Sequence, residues 1–119
     1  MLRNLNRILT INGKNGKTYE FNQFSFDSFE DIKGKLPNYG GIYLFTRQEE
    51  LGQDHEPIYC GKTDNFSERY YNHHAERCIV QNKANRISIL RVDNEIIRDN
   101  LEVDILEVNT FSCNIQHNG

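Results

Sequence analysis

The sequence has no tryptophan, a single methionine and two prolines, and no apolar run comes near the length that spans a bilayer. Its N-terminus, Met1-Leu2-Arg3-Asn4-Leu5-Asn6-Arg7, also lacks a hydrophobic block of signal-peptide length, so no membrane partner is expected and a cytoplasmic setting is. Three cysteines, Cys60, Cys78 and Cys113, are an odd number without framework spacing, which argues for reduced thiols rather than a disulfide scaffold. Basic charge is not in excess either. Fourteen lysines and arginines against 17 acids leave a net charge of −3, which argues against broad, sequence-blind coating of nucleic acid.

What is present is a chain of 119 residues, 37% hydrophobic and 26% charged, with seven phenylalanines and six tyrosines to anchor a core. That length and balance fit one soluble globular domain that folds without staples. Charge is uneven along it. From Tyr59 to Arg91 the basic Lys62, Arg69, Arg77, Lys83, Arg86 and Arg91 outnumber Asp64, Glu68 and Glu76, while acids gather at 20–31 and 49–56. A local basic face on an acidic protein suits a polyanionic substrate.

Chemistry concentrates in Ile58-Tyr59-Cys60-Gly61-Lys62-Thr63 and the residues after it. Pro57 and Gly61 bound a short apolar run that reads as a buried strand. Thr63, Asp64 and Asn65 suit an N-cap, and Phe66, Tyr70, His73 and Arg77 follow with helical spacing, so strand, tight turn and helix are predicted. Arg69 and His73 would then share one helix face, with Tyr59 at the strand end and Lys62 at the turn. A phenol, an ammonium, a guanidinium and an imidazole in one small volume suit a phosphate, although each has an ordinary structural use alone. A nucleotide-binding loop is excluded, because Glu56 stands where the first glycine before Gly61-Lys62-Thr63 must be. A zinc site from Cys60, His73, His74 and Cys78 lacks the usual short ligand spacing.

Before this stretch, Arg7-Ile8-Leu9-Thr10-Ile11 and Thr18-Tyr19-Glu20-Phe21 flank an Asn-Gly-rich turn and predict a β-hairpin. Residues 25–35 predict a short helix capped by Asp27 or Ser28, with Phe29, Ile32 and Leu36 apolar and Pro37 as its stop. Gly41-Ile42-Tyr43-Leu44-Phe45-Thr46 predicts a strand with Tyr43 opposite in facing to Ile42 and Leu44, hairpinned to the Tyr59 strand so that the two tyrosines are neighbours. Beyond Arg86–Val92, a third strand, Asp93 or Asn94 caps a helix whose expected buried stripe is Ile97, Leu101, Ile105 and Val108. Glu102 lies beside that stripe, one turn after Arg98, where an ion pair with Arg98 is the bland alternative to a metal ligand.

These residues resemble a GIY-YIG endonuclease domain. Gly41-Ile42-Tyr43 matches the first signature and Tyr59-Cys60-Gly61 the second, with cysteine for isoleucine, a substitution that an apolar position tolerates. Arg69 and His73 resemble the family's arginine and its histidine or tyrosine one turn later; Glu102 resembles its metal-binding glutamate, and Asn114 the asparagine that follows, though without the proline common before it. The resemblance covers residues 41–114.

It implies an α/β fold: a small, mainly antiparallel three-stranded central sheet flanked by helices over residues 39–116, with residues 1–38 an added hairpin and helix, all in one domain of 1–119. It also implies metal-dependent hydrolysis of DNA phosphodiester bonds. Expected catalytic residues are Tyr43, Tyr59, Arg69, His73 and Glu102; Glu102 would hold Mg²⁺ or Mn²⁺, and Lys62, Arg77 and Asn114 would contact substrate. A tyrosine base requires its phenol pKa, ordinarily near 10, to be lowered by Arg69, Lys62 or the metal. DNA is the expected partner, alongside a separate specificity-providing protein or a homodimer. Two other classes fit the same residues: a non-cutting nucleic-acid- or partner-binding module, and an enzyme with Cys60 as nucleophile and His73 as base.

Overall fold

A computed structural model describes residues 1–117, and side chains as far as Asn114. The chain is an α/β unit built on one five-stranded antiparallel sheet: β1 (Arg3–Asn12), β2 (Thr18–Ser25), β3 (Gly41–Arg47), β4 (Glu56–Thr63) and β5 (Arg86–Arg91), in the order β1-β2-β5-β3-β4. Three helices complete it: α1 (Glu76–Gln81), α2 (Glu95–Val108) and α3 (Ser112–His117). Among the described residues no helix is long and apolar enough to cross a membrane.

The expected three-stranded core is therefore too small. The N-terminal hairpin forms as predicted, turning through Asn15 and Gly16 at positive φ, but it is no appendage. Its β2 hydrogen-bonds to β5, Asn22 opposite Ile89 and Ser25 opposite Arg86, so the sheet runs on without a break. The physical reason is the edge of β5: buried between two packed faces, it needs a partner for its backbone groups.

Each face of the sheet carries its own core. Tyr43, Phe45, Tyr59, Ile87 and Ile89 pack on one side against Phe29, Ile32, Leu36, Phe66, Tyr70 and Ile79. On the other side Ile42, Leu44, Cys60 and Phe21 meet Ile105 of α2 and Phe111. The alternation read from Ile42-Tyr43-Leu44 thus separates two layers.

Two predicted helices change. Residues 25–35 give only a 3-10 turn at Phe29–Asp31, because β2 claims the chain as far as Ser25; Ser28 and Asp31 cap it reciprocally, and Phe29, Ile32 and Leu36 are buried as expected. The helix expected from Phe66 is a run of turns until Glu76, with Asn72 in the left-handed region at φ 55°.

The last of the predicted helices, α2, is capped by Asn94, which accepts the Ile97 amide at 3.0 Å. Its buried face differs from the predicted stripe: Ile97 and Val108 are exposed, Ile105 is fully buried, and Arg98 turns inward. The guanidinium of Arg98 donates to the Val92 carbonyl at 3.0–3.1 Å and to the Asp93 carbonyl at 3.3 Å, which fixes the β5–α2 turn and rotates the helix.

Candidate active site

The site grows from the β3–β4 hairpin. In its register Tyr43 lies opposite Gly61 and Phe45 opposite Tyr59, and an irregularity at Ile58 lets Ile58 and Tyr59 both reach the same core. The two tyrosines are diagonal neighbours on one face, ring centroids 6.0 Å apart. Gly61 makes this possible. A Cβ there would fall 2.5 Å from the Tyr43 hydroxyl and 2.8 Å from the Tyr59 ring, closer than any real contact, so only glycine leaves room for the two phenols to meet.

The turns after β4 bring in the other groups. Asn65 folds the chain back by accepting the Ser67 amide at 2.9 Å. The left-handed turn at Asn72 then sends His73 inward and leaves His74 exposed, their rings stacked with centroids 4.9 Å apart. Arg69 and His73 therefore do not share a helix face. Arg69 reaches His74 instead, its Nη2 3.4 Å from Nδ1.

Hydrogen-bond directions follow from which groups can only donate. The Ala75 amide donates to His73 Nδ1 at 3.0 Å, so neutral His73 carries its proton on Nε2 and donates it to the Tyr43 oxygen, 2.6 Å away. The Tyr43 hydroxyl favours the Tyr59 anion only weakly, the least of the influences on that phenol. On the other side the Arg69 guanidinium donates to His74 Nδ1, so His74 Nε2–H points at Tyr59 Oη, 3.1 Å distant. One exposed donor chain, Arg69 through His74, ends on the Tyr59 oxygen, while the buried His73 bond ends on the neighbouring Tyr43 oxygen.

Burial raises the Tyr59 pKa above its ordinary value; Arg69 works to lower it, and the Glu102 carboxylate adds to the rise. Tyr43, fully buried, is raised far more. Arg69 does not bring about the expected depression of a phenol pKa: it pulls in the predicted direction but desolvation is larger. With no exposed surface, Tyr43 does not meet water.

Glu102 belongs to the other layer. It stands on α2, on the side of the sheet that holds Cys60 and within reach of Lys62, and its charge adds to the rise of the Tyr59 pKa. Its side chain is 18% exposed, and Lys62 Nζ lies 3.9 Å from it while bonding Asp99 at 2.8 Å. Burial raises the Glu102 carboxyl above the usual range, Asp99 adds to this, and Lys62 opposes it. The alternative pairing with Arg98 is not formed, since that guanidinium is held by the carbonyls of Val92 and Asp93.

Among the other predicted residues, Arg77 is exposed beside His74, on an open pocket of about 490 Å³ that Gln81 and Val80 also line. Asn114 has a different duty from the one expected. Its Oδ1 accepts the Cys60 amide at 2.8 Å and its Nδ2 donates to the Cys60 carbonyl at 2.9 Å, so it stands in for a sixth strand at the edge of β4. Cys60 is buried to 1%, and burial pushes its thiol far up, which removes the thiolate that a nucleophile needs. The expectation of three reduced thiols is corrected: Cys78 and Cys113 form a disulfide, and only Cys60 is free. Two participants escaped the sequence reading. His74 is signalled only by its adjacency to His73, and the Cys78–Cys113 pairing by nothing, because a sequence separation of 35 resembles no framework spacing.

Comparison with family models, with curated proteins and with solved structures finds no match to this chain.

Proposed function

We propose that the protein is a metal-dependent endonuclease that hydrolyses DNA phosphodiester bonds, with Tyr59 as its reactive centre. One observation carries this: Arg69 through His74 aims a donor at the Tyr59 oxygen, beside the buried Tyr43–His73 pair and within the reach of the Glu102 charge. Donors directed at a phenol oxygen stabilise its anion and orient its remaining lone pair. That is the requirement for drawing a proton from an attacking water. The Arg69 guanidinium, besides holding His74, is the charge available to the non-bridging oxygens of a phosphate at Tyr59. Arg77, exposed on α1, adds a second cation beside His74, whereas Lys62 is already paired with Asp99.

The residues fit a single hard cation. Glu102 offers carboxylate oxygens whose charge is under-compensated by Lys62 alone. Among the described residues no group of three or more His, Cys, Asp and Glu is gathered to hold a metal, and Mg²⁺ is ordinarily held by one or two carboxylates with waters and substrate phosphate. A bound Mg²⁺ or Mn²⁺ would supply Lewis-acid charge at the leaving oxygen. A second reading, a non-cutting module that binds nucleic acid or a protein partner, is favoured by one fact: Tyr59 keeps only 6% of its surface.

Incubation with supercoiled, linear and branched DNA, with and without Mg²⁺ or Mn²⁺, separates the two. Metal-dependent cleavage by the wild type, lost in folded Tyr59→Phe, Arg69→Ala and Glu102→Gln, is the expected result. Binding without cleavage in every condition would establish the second reading.

A further inference from the structure

We propose that Cys78 and Cys113 form a thiol–disulfide switch that sets the position of Tyr59, a proposal that rests on Tyr59 being the reactive centre. The disulfide joins α1 to α3, with Cα atoms 5.8 Å apart. Both helices are short, six residues each, and too short to hold themselves without tertiary support. Each is nonetheless the direct anchor of one side of the site.

On the α3 side, Cys113 is followed at once by Asn114, whose amide brackets the backbone of Cys60, the residue after Tyr59. Since β4 is the last strand of the sheet, those two hydrogen bonds are what hold its outer edge at that point. On the α1 side, Cys78 lies one turn after Ala75, whose amide fixes the His73 ring that bonds Tyr43 and packs on the Tyr59 ring at 5.2 Å. One covalent bond thus ties together both walls around Tyr59. Asn82 marks the same junction: its Nδ2 donates to the Cys78 carbonyl at 2.8 Å and lies 3.6 and 3.5 Å from the two sulfurs.

The exchange is balanced by a small-molecule disulfide of the glutathione type. A Cys78 or Cys113 thiolate attacks one of its sulfurs and releases one thiol; the second protein thiolate then attacks the mixed disulfide, forms the Cys78–Cys113 bond and releases the second thiol. Two electrons pass from the protein to the oxidant, and the two cysteine protons end on the released thiols. In the reverse direction Cys78 is the sulfur an external thiol reaches, because it keeps 8% of its surface while Cys113 keeps none. Reduction removes the constraint on α3, frees Asn114 from Cys60 and lets the β4 edge open.

The test uses the full chain, poised with mixtures of reduced and oxidised glutathione, with free thiols counted under denaturing conditions and amide hydrogen exchange followed at Cys60. Oxidised protein should show one free thiol and a protected Cys60 amide. Reduced protein should show three thiols and exchange at Cys60 about tenfold faster, with DNA cleavage falling in parallel. Cys113→Ser should match the reduced state and ignore glutathione; should it fail to fold, the reduced wild type carries the comparison. Asn114→Ala should abolish the difference between the two redox states at Cys60. Equal Cys60 exchange in oxidised and reduced protein would overturn the switch, whatever the cleavage assay gives. Redox-dependent exchange in a protein that cuts no DNA would leave the switch over β4 standing and refute the nuclease function instead.

Discussion

Gly61→Ala is the sharpest test of how the two phenols come to share a site. The new Cβ would be 2.5 Å from the Tyr43 hydroxyl oxygen and 2.8 Å from a Tyr59 ring carbon, with the ring carbon bearing that hydroxyl closer still. Neither tyrosine can swing away easily. Tyr43 is fully buried among Phe45, Tyr70 and His73 at centroid distances of 5.5–5.8 Å, and Tyr59 packs on His73 at 5.2 Å. Overpacking of this kind costs about 2 kcal/mol, to which separation of the Tyr43 hydroxyl from His73 Nε2 adds about 1 kcal/mol for a buried donor left without its acceptor. For a chain of this size roughly 3 kcal/mol lowers the melting midpoint by about 9–18 °C. Thermal denaturation followed by far-UV circular dichroism reads this directly, and the Tyr59→Ala background supplies a control, since removing that ring opens room and should return part of the loss. A Gly61→Ala protein that melts within 2–3 °C of the wild type, roughly the shift of a surface substitution, would show that the phenols are not packed over Gly61.

Further outcomes follow from the same geometry. Glu102→Gln should abolish metal-dependent cleavage yet melt no lower than the wild type at pH 7, within about 0.5 kcal/mol. Burial raises the folded carboxyl pKa, so any stability from Glu102 is present in acid and lost as pH rises through that value, a loss glutamine does not suffer; a clearly lower midpoint would make Glu102 a structural ion-pair partner. Tyr59→Phe should cut turnover by about 100-fold or more with little change in melting, whereas Tyr43→Phe should also destabilise by about 1–3 kcal/mol because His73 Nε2–H loses its acceptor. Because burial holds the Tyr59 pKa above its ordinary value near 10, the phenolate is the minor form at neutral pH, and cleavage should rise roughly tenfold per pH unit from 7 to 9. A flat pH–rate profile would take Tyr59 out of the proton transfer. Arg69→Ala should leave melting within about 1 kcal/mol of wild type and lower cleavage by about 100-fold or more, and unchanged cleavage would remove the guanidinium from the chemistry.

By itself the sequence determined the local rules. Alternation in Ile42-Tyr43-Leu44 assigned those residues to opposite faces, the Asn-Gly turn closed the first hairpin, and Asn94 capped α2. The pairing of the two tyrosine strands was legible too, since a polar, glycine-containing loop between two apolar runs leaves little else for them to do. The candidate site was named in part from residue types, since Tyr59, Lys62, Arg69 and His73 together suit a phosphate, and in part only through the resemblance, since Glu102 by position alone reads first as an ion-pair partner.

Only the tertiary structure decided how they meet. Nothing local says that β2 must cover the edge of β5, that a left-handed Asn72 would replace a helix and hand Arg69 to His74, or that Arg98 would turn inward and leave Glu102 to Lys62. The same holds for Asn114 on the backbone of Cys60 and for Cys78 against Cys113, contacts made across 54 and 35 residues. Spacing patterns report which side chains share one element's face, and these contacts lie between elements. They are set by which buried backbone and polar groups still lack a partner once the sheet has formed.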